Sequence, residues 1–460
     1  MTDLVDHLLG IAPGDPLDAV RDLRAQAREH TQRSYQVLLT PADPGAVSLR
    51  ERFAIATFTL ELHLGPQPSR ADVPGPVRAL GDHYRHGLTA PAAAGGAGAG
   101  GSGSEADDAG GPDSGGSGAA SHGPEGVLEA VIEAAQTART TGPYGAYRET
   151  GLTGESTSGP VFRIDEGATD LPARLRAALE HAHLLTYRPR EAGAEDLQRL
   201  LDAGWFTDGI VTLSQLVSFL SYQVRLVHGL AVLGEVDHVA PAAPALLPAA
   251  GAGGDAGGAA PGDGERVRTY PEASRPEAFT RDEIGWLPWL EPLAQEQLTE
   301  RHHHGLVDAA RAKSDYFMVL ARDPDALGAR TRTDKDIFYN RNGGLPRAER
   351  ELAATVASRV NGCVFCASVH ARFAAHYAKQ PDVVDRLLAT GTGADLGQRW
   401  NTLTGAAAAL TRTPVEFGPA HLRELRAEGL QDEEVADLIS AAAFFNWANR
   451  LMLSLGQPQQ

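Results

Sequence analysis

Three stretches place apolar residues every three or four positions: RERFAIATFTLELHL (50–64), DGIVTLSQLVSFLSYQVRLVHGL (208–230) and DEEVADLISAAAFFNWANRLMLSLG (432–456). That period gives a helix one apolar face, so each stretch predicts a long helix. Convincing apolar–polar alternation is absent and β-branched runs are short, so no strand is predicted. Asp432, Glu433 and Glu434 open the third stretch, where acidic side chains suit the positive end of a helix. The expected fold class is all-α.

Two Gly/Ala-rich tracts interrupt this pattern, at 90–126 and 240–264. Neither has the large apolar side chains needed to offset chain entropy, so both read as flexible. The expected organisation is an N-terminal domain over 1–239 with 90–126 as an insertion, a linker over 240–264, and a C-terminal domain over 265–460. The halves look related, because residues 174–230 can be laid on 399–455 without a gap. Thr186-x-x-Pro189 then falls on Thr411-x-x-Pro414, Leu197 on Leu422 and Gly204 on Gly429. Phe219 meets Phe444, Tyr222 meets Trp447, and Arg225 meets Arg450. Upstream, LRERFAIATF resembles RAERELAATV in the same relative order, which predicts two related helical domains over about 40–235 and 280–456.

Composition narrows the functional classes. The 460 residues are 42 % hydrophobic and 22 % charged, as in ordinary globular proteins. A formal net charge of −18 disfavours a sequence-independent grip on nucleic acid and binding to anionic membranes, both of which need basic surfaces. No apolar run approaches the roughly 20 residues of a membrane span. The opening MTDLVDHLLGIAPGDP has early acids and no basic leader, so a cytoplasmic location is expected. No glycine-rich dinucleotide fingerprint is present, and neither a cofactor nor a metal is expected.

Both cysteines of the chain lie in NGCVFCASVHARF, residues 361–373. Gly362 precedes Cys363, and the residues after it continue with helical spacing, which puts Cys363 at or near a helix start and Cys366 in the first turn. Unpaired backbone N–H groups there favour a thiolate over a thiol. His370 follows Cys366 by four residues and shares its helix face, where an imidazole can take or hold a proton. Glu351 lies twelve residues before Cys363 among apolar neighbours, where a carboxylate needs partners. A zinc site on Cys363, Cys366 and His370 would lack a fourth ligand, and the run His302–His303–His304 cannot face one metal from a helix. Redox chemistry is the favoured reading over zinc binding and inert packing.

The series Glu351, Cys363-Val-Phe-Cys366 and Ala-Ser-Val-His370, with the lead-in LPRAERELAATVASRVNGC, resembles the signature of the AhpD-like alkylhydroperoxidases, within the carboxymuconolactone decarboxylase superfamily. The likeness is strong over about 310–456 and weaker over about 40–235, as in a two-domain peroxidase-related member. It implies an all-helical fold assembling as a homo-oligomer, a trimer or hexamer. It also implies that Cys366 attacks a hydroperoxide, Cys363 resolves the sulfenic acid as a disulfide, and Glu351 and His370 relay protons. An organic hydroperoxide and an external dithiol, lipoyl- or thioredoxin-like, are the partners so implied. Phe365 departs from the pattern, since the best-known members carry histidine immediately before the second cysteine. In the first repeat Phe53 takes the place of Glu351, Gly65 that of Cys363, and Pro68 and Asp72 those of Cys366 and His370, so this half is expected to be catalytically silent. Competing readings are a non-enzymatic redox sensor or assembly module, and a decarboxylase or isomerase of the same superfamily.

Overall fold

A computed structural model describes residues 3–66, 73–90, 123–167, 169–247 and 265–460. Most of both Gly/Ala-rich tracts, together with Pro68 and Asp72, lies outside the described residues. The first half forms α1 (Leu4–Leu9), α2 (Pro16–Asp22), α3 (Ala25–Leu39), α4 (Leu49–His63), α5 (Gly75–Thr89), α6 (Pro124–Ala138), α7 (Ala173–Tyr187), α8 (Ala194–Asp202) and α9 (Thr207–Leu233). The second forms α10 (Glu300–Leu306), α11 (Asp315–Leu320), α12 (Pro324–Tyr339), α13 (Arg347–Asn361), α14 (Val364–Ala378), α15 (Pro381–Thr390), α16 (Gln398–Thr411), α17 (Pro419–Ala427) and α18 (Asp432–Leu455). The fold is all-α. Among the described residues the strands are an antiparallel pair, β1 (Gly285–Pro288) with β2 (Gly456–Gln459), too short to show as alternation in the sequence.

The helices α7, α8 and α9 begin at 173, 194 and 207, and α16, α17 and α18 begin at 398, 419 and 432, all in the register of the ungapped sequence repeat. Equivalent ion pairs brace each half. Arg174 Nε lies 2.7 Å from Glu51 on α4, and Arg399 Nε lies 2.7 Å from Glu349 on α13. Arg52 and Arg350, one residue further along these helices, are buried and donate to carbonyls at the end of the preceding helix, Leu38 and Ile337. Such bonds satisfy carbonyls that a helix end leaves unpaired. α4 itself starts on a capping box, Ser48 with Glu51.

The two halves pack directly on one another, most extensively through α9 against α18 and α3 against α12. Gly229 permits the close approach of the long pair, since a Cβ there would collide with Ile439. Trp447 stacks on Tyr222 at 5.7 Å, stands edge-on to Phe219 at 5.2 Å, and donates Nε1–H to Gln215 Oε1 at 3.0 Å. α9 is long and apolar enough to cross a bilayer, contrary to the expectation that no run approaches that length, but most of it is buried within the protein. Its burial against α18 accounts for its composition.

Arg225 and Arg450 are fully buried, and among the described residues neither has a carboxylate partner. Instead each reaches across to the other half. Arg225 Nη2 donates to Thr411 O at 2.8 Å and Thr413 Oγ1 at 2.7 Å, and Arg450 Nη2 donates to Thr186 O at 3.2 Å. Thr411 and Thr186 stand in the last turns of α16 and α7, whose negative ends offset the buried charge. Arg225→Ala should lower unfolding stability by about 3 kcal/mol or more, because it orphans those carbonyls and leaves a void. A urea titration tests this; a loss below about 1 kcal/mol would show that the crossing bonds do not hold the halves together.

Candidate active site

The turn from α13 into α14 places the thiols. Gly362 closes α13 at φ 81°, a left-handed conformation that glycine adopts without steric cost. Cys363 follows as the N-cap of α14, its N–H donating to Ser358 O at 2.9 Å, and Cys366 is the third residue of that helix. Both are free thiols. Cys363 is 1 % and Cys366 6 % exposed, so Cys366 is the more accessible of the two.

Their environments differ in sign. Burial pushes the Cys363 thiol well up, and the neighbouring Cys366 adds to this. Burial also opposes ionisation of Cys366, but a hydrogen bond from Cys363, the charge of His370, the Asn449 amide and the charge of Arg330 outweigh it, and its thiol lies below the ordinary range. One thiol is therefore disposed to ionise while its neighbour keeps a proton.

Glu351 and His370 meet directly. His370 Nδ1 lies 2.6 Å from Glu351 Oε2, and the Glu351 side chain is 1 % exposed. Its other oxygen accepts from Arg347 Nε at 3.0 Å. Arg347 is held over the rings of Tyr339 and Tyr377, at 4.3 and 4.5 Å. An Nδ1–H donating to the carboxylate leaves Nε2 of His370 as the nitrogen available for proton exchange. The ring is gripped edge-on by Phe445 at 4.1 Å and flanked by Phe338 at 5.6 Å. All four sequence-selected residues thus gather around one point: Glu351 bonds His370, His370 acts on Cys366, and Cys366 pairs with Cys363.

Other contributors arrive from helices with no motif. Arg330 and Asp334 are on α12, and Asn449 and Phe445 on α18. Burial raises the Asp334 carboxyl, with Arg330 and His370 opposing that rise. The spacing of Arg330 and Asp334, one turn apart, was the only signal for them, and it is common on any helix. Phe444 and Trp447 are fully buried; Phe444 contacts Phe338 and Phe445, whereas Trp447 braces α9. The histidine run lies apart on α10, where His302 Nδ1 accepts from Thr299 N at 3.0 Å. Among the described residues no group of three or more His, Cys, Asp and Glu is arranged to hold a metal ion.

The corresponding region of the first half is filled with rings. Phe53, in the place of Glu351, packs near Tyr84 at 6.3 Å, and a Cβ on Gly87 would strike its ring. Tyr35 Oη lies 2.8 Å from His83 Nε2 beside them. Burial pulls His83 down to about 4, which favours its neutral form near neutral pH.

These features define an all-helical, internally duplicated protein with one dithiol–imidazole–carboxylate centre in its second half. The carboxymuconolactone decarboxylase family profile matches residues 324–409, spanning α12 to within α16. Over this segment the chain is similar to the carboxymuconolactone decarboxylase family. Among solved structures, the chain is similar to an alkylhydroperoxidase AhpD core, described as an uncharacterized peroxidase-related protein from Ralstonia eutropha JMP134. That pair is 24 % identical, covers 35 % of this chain and 87 % of the other, and has a TM-score of 0.32. A second similar structure is the debrominase Bmp8 in its apo form, 17 % identical over 35 % of this chain and 86 % of that one, at a TM-score of 0.29. No curated protein matches the chain.

Proposed function

We propose that this protein is a thiol-dependent hydroperoxide reductase, with Cys366 as the attacking thiolate. The observation that carries the reading is geometric: two free thiols one turn apart at the start of α14, beside a buried Glu351–His370 pair. Ionisation of Cys366 sends its proton toward His370. The thiolate attacks the terminal oxygen of the hydroperoxide, an S–O bond forms, the O–O bond breaks, and the leaving alkoxide takes the proton back as an alcohol. The sulfenic acid then condenses with the Cys363 thiol, releasing water and forming the Cys363–Cys366 disulfide. An external dithiol reduces the disulfide by exchange and is itself oxidised to a disulfide. Two residues between the cysteines at a helix start suit this cycle, because both sulfurs stay within one turn.

Phe365 is half-buried against the core, and Glu351–His370 is the relay available to these thiols. The first half, with Phe53 in the relay position, serves as the brace on which α18 and its Phe445 and Asn449 are mounted. Turnover of alkyl hydroperoxides with lipoyl or thioredoxin-like dithiols tests the reading in the purified protein. Peroxide loss coupled one-to-one to dithiol oxidation is the expected result. Oxidation of the cysteines without turnover would replace it with a redox sensor, and inert cysteines would overturn it.

A further inference from the structure

Among the described residues, two buried donors, the hydroxyl of Tyr316 and Nε of Arg330, lack a hydrogen-bond partner. Tyr316 is on α11, outside the family-matched segment, with its ring edge-on to Trp286 at 5.4 Å and Phe317 at 5.3 Å. The guanidinium of Arg330 lies 5.9 Å from the Tyr316 ring, 5.2 Å from the Phe444 ring and 6.0 Å from that of Trp447. Cys366 and Cys363 both act electrostatically on the Tyr316 hydroxyl, and Arg330 acts on both Tyr316 and Cys366. Phe444, under the guanidinium, also contacts Phe338 and Phe445, the two rings against His370, which places both orphans in the neighbourhood of the relay.

A buried donor without an acceptor is costly, so two such donors in one place call for an explanation. Cation–π packing on Phe444 and Trp447 accounts for the guanidinium plane but leaves Nε and the phenol unused. What would satisfy both is one small acceptor, an oxygen carrying negative charge. We infer that Tyr316 Oη and Arg330 Nε cradle the leaving oxygen of an organic hydroperoxide at Cys366. This rests on the peroxide reading above. As the S–O bond forms and the O–O bond breaks, the electron pair of the broken bond moves onto the alkoxide oxygen. The two donors meet that charge in a low-dielectric setting until His370 returns the proton.

The test compares two electrophiles on the reduced full-length protein: cumene hydroperoxide, which expels an alkoxide, and iodoacetamide, which expels iodide. Tyr316→Phe should slow Cys366 oxidation by cumene hydroperoxide by about 10²-fold, the usual loss for one oxyanion donor, and leave alkylation within about two-fold of wild type. Arg330→Lys keeps the charge and loses the Nε geometry; about ten-fold slower peroxide oxidation with little change in alkylation is expected. Unchanged peroxide rates in both variants, or equal losses with both electrophiles, would overturn the inference while wild-type oxidation leaves the peroxide reading standing. A wild-type Cys366 that iodoacetamide alkylates and cumene hydroperoxide does not oxidise overturns both together.

Discussion

Cys366→Ser should reduce hydroperoxide consumption to the uncatalysed background, a loss of more than about 10³-fold, because a serine hydroxyl at this position stays protonated and is a poor nucleophile toward oxygen. Cys363→Ser should behave differently. It should consume one equivalent of peroxide per chain and then stop, holding Cys366 as a sulfenic acid that dimedone traps and mass spectrometry locates. The asymmetry follows from the site: Cys366 sits under the influence of His370, Asn449 and Arg330, whereas Cys363 is more deeply buried and its thiol is pushed up. A serine at 363 keeps a hydroxyl that can donate to Cys366, so the single-turnover reaction should set in at a pH close to that of wild type. Turnover by Cys366→Ser, or a dimedone adduct on Cys363 in the wild type, would reverse the two roles.

The helical class was legible because α4, α9 and α18 carry apolar residues at spacings of three and four, although in the fold they are buried on nearly every face and not on a single apolar one. Also legible was the register of the second part of each repeat, where Arg174 with Arg399 and Arg225 with Arg450 keep equivalent partners. The match of α3 with α12 was not legible. These helices pack on each other across the two halves, and that contact constrains shape more than residue type. The buried arginines were visible as aligned letters, but their bonds to Thr411 and Thr186 depend on the tertiary crossing. The same holds at the candidate site. Glu351, Cys363, Cys366 and His370 lie on consecutive helices, α13 and α14, and so could be assembled from spacing. Tyr316, Arg330, Asn449 and Phe445 come from α11, α12 and α18, and only packing brings them to the thiols.

Glu351→Gln should slow peroxide oxidation of Cys366 by about 10²-fold, within the range attributed to one acid–base group. The amide preserves shape but cannot accept from both Arg347 Nε and His370 Nδ1 as the carboxylate does, at 3.0 and 2.6 Å. His370 then loses the partner that fixes its ring and directs Nε2 to proton exchange, and its charge ceases to support the thiolate. The sign of the pH effect is set by Cys366. In the wild type its lowered thiol pKa means that the rate climbs with pH and levels off below the usual thiol range near 9. In Glu351→Gln that inflection should move upward, so the deficit is deepest at acidic pH and narrows as pH rises. His370→Gln should produce the same upward movement, and the double variant should be little worse than either single one, because the two residues act through one relay. Alkylation rates measured across pH give the inflection, and stopped-flow peroxide oxidation gives the rate. An inflection unmoved in Glu351→Gln, or losses that multiply in the double variant, would mean that the carboxylate serves the fold through Arg347 and takes no part in moving the proton.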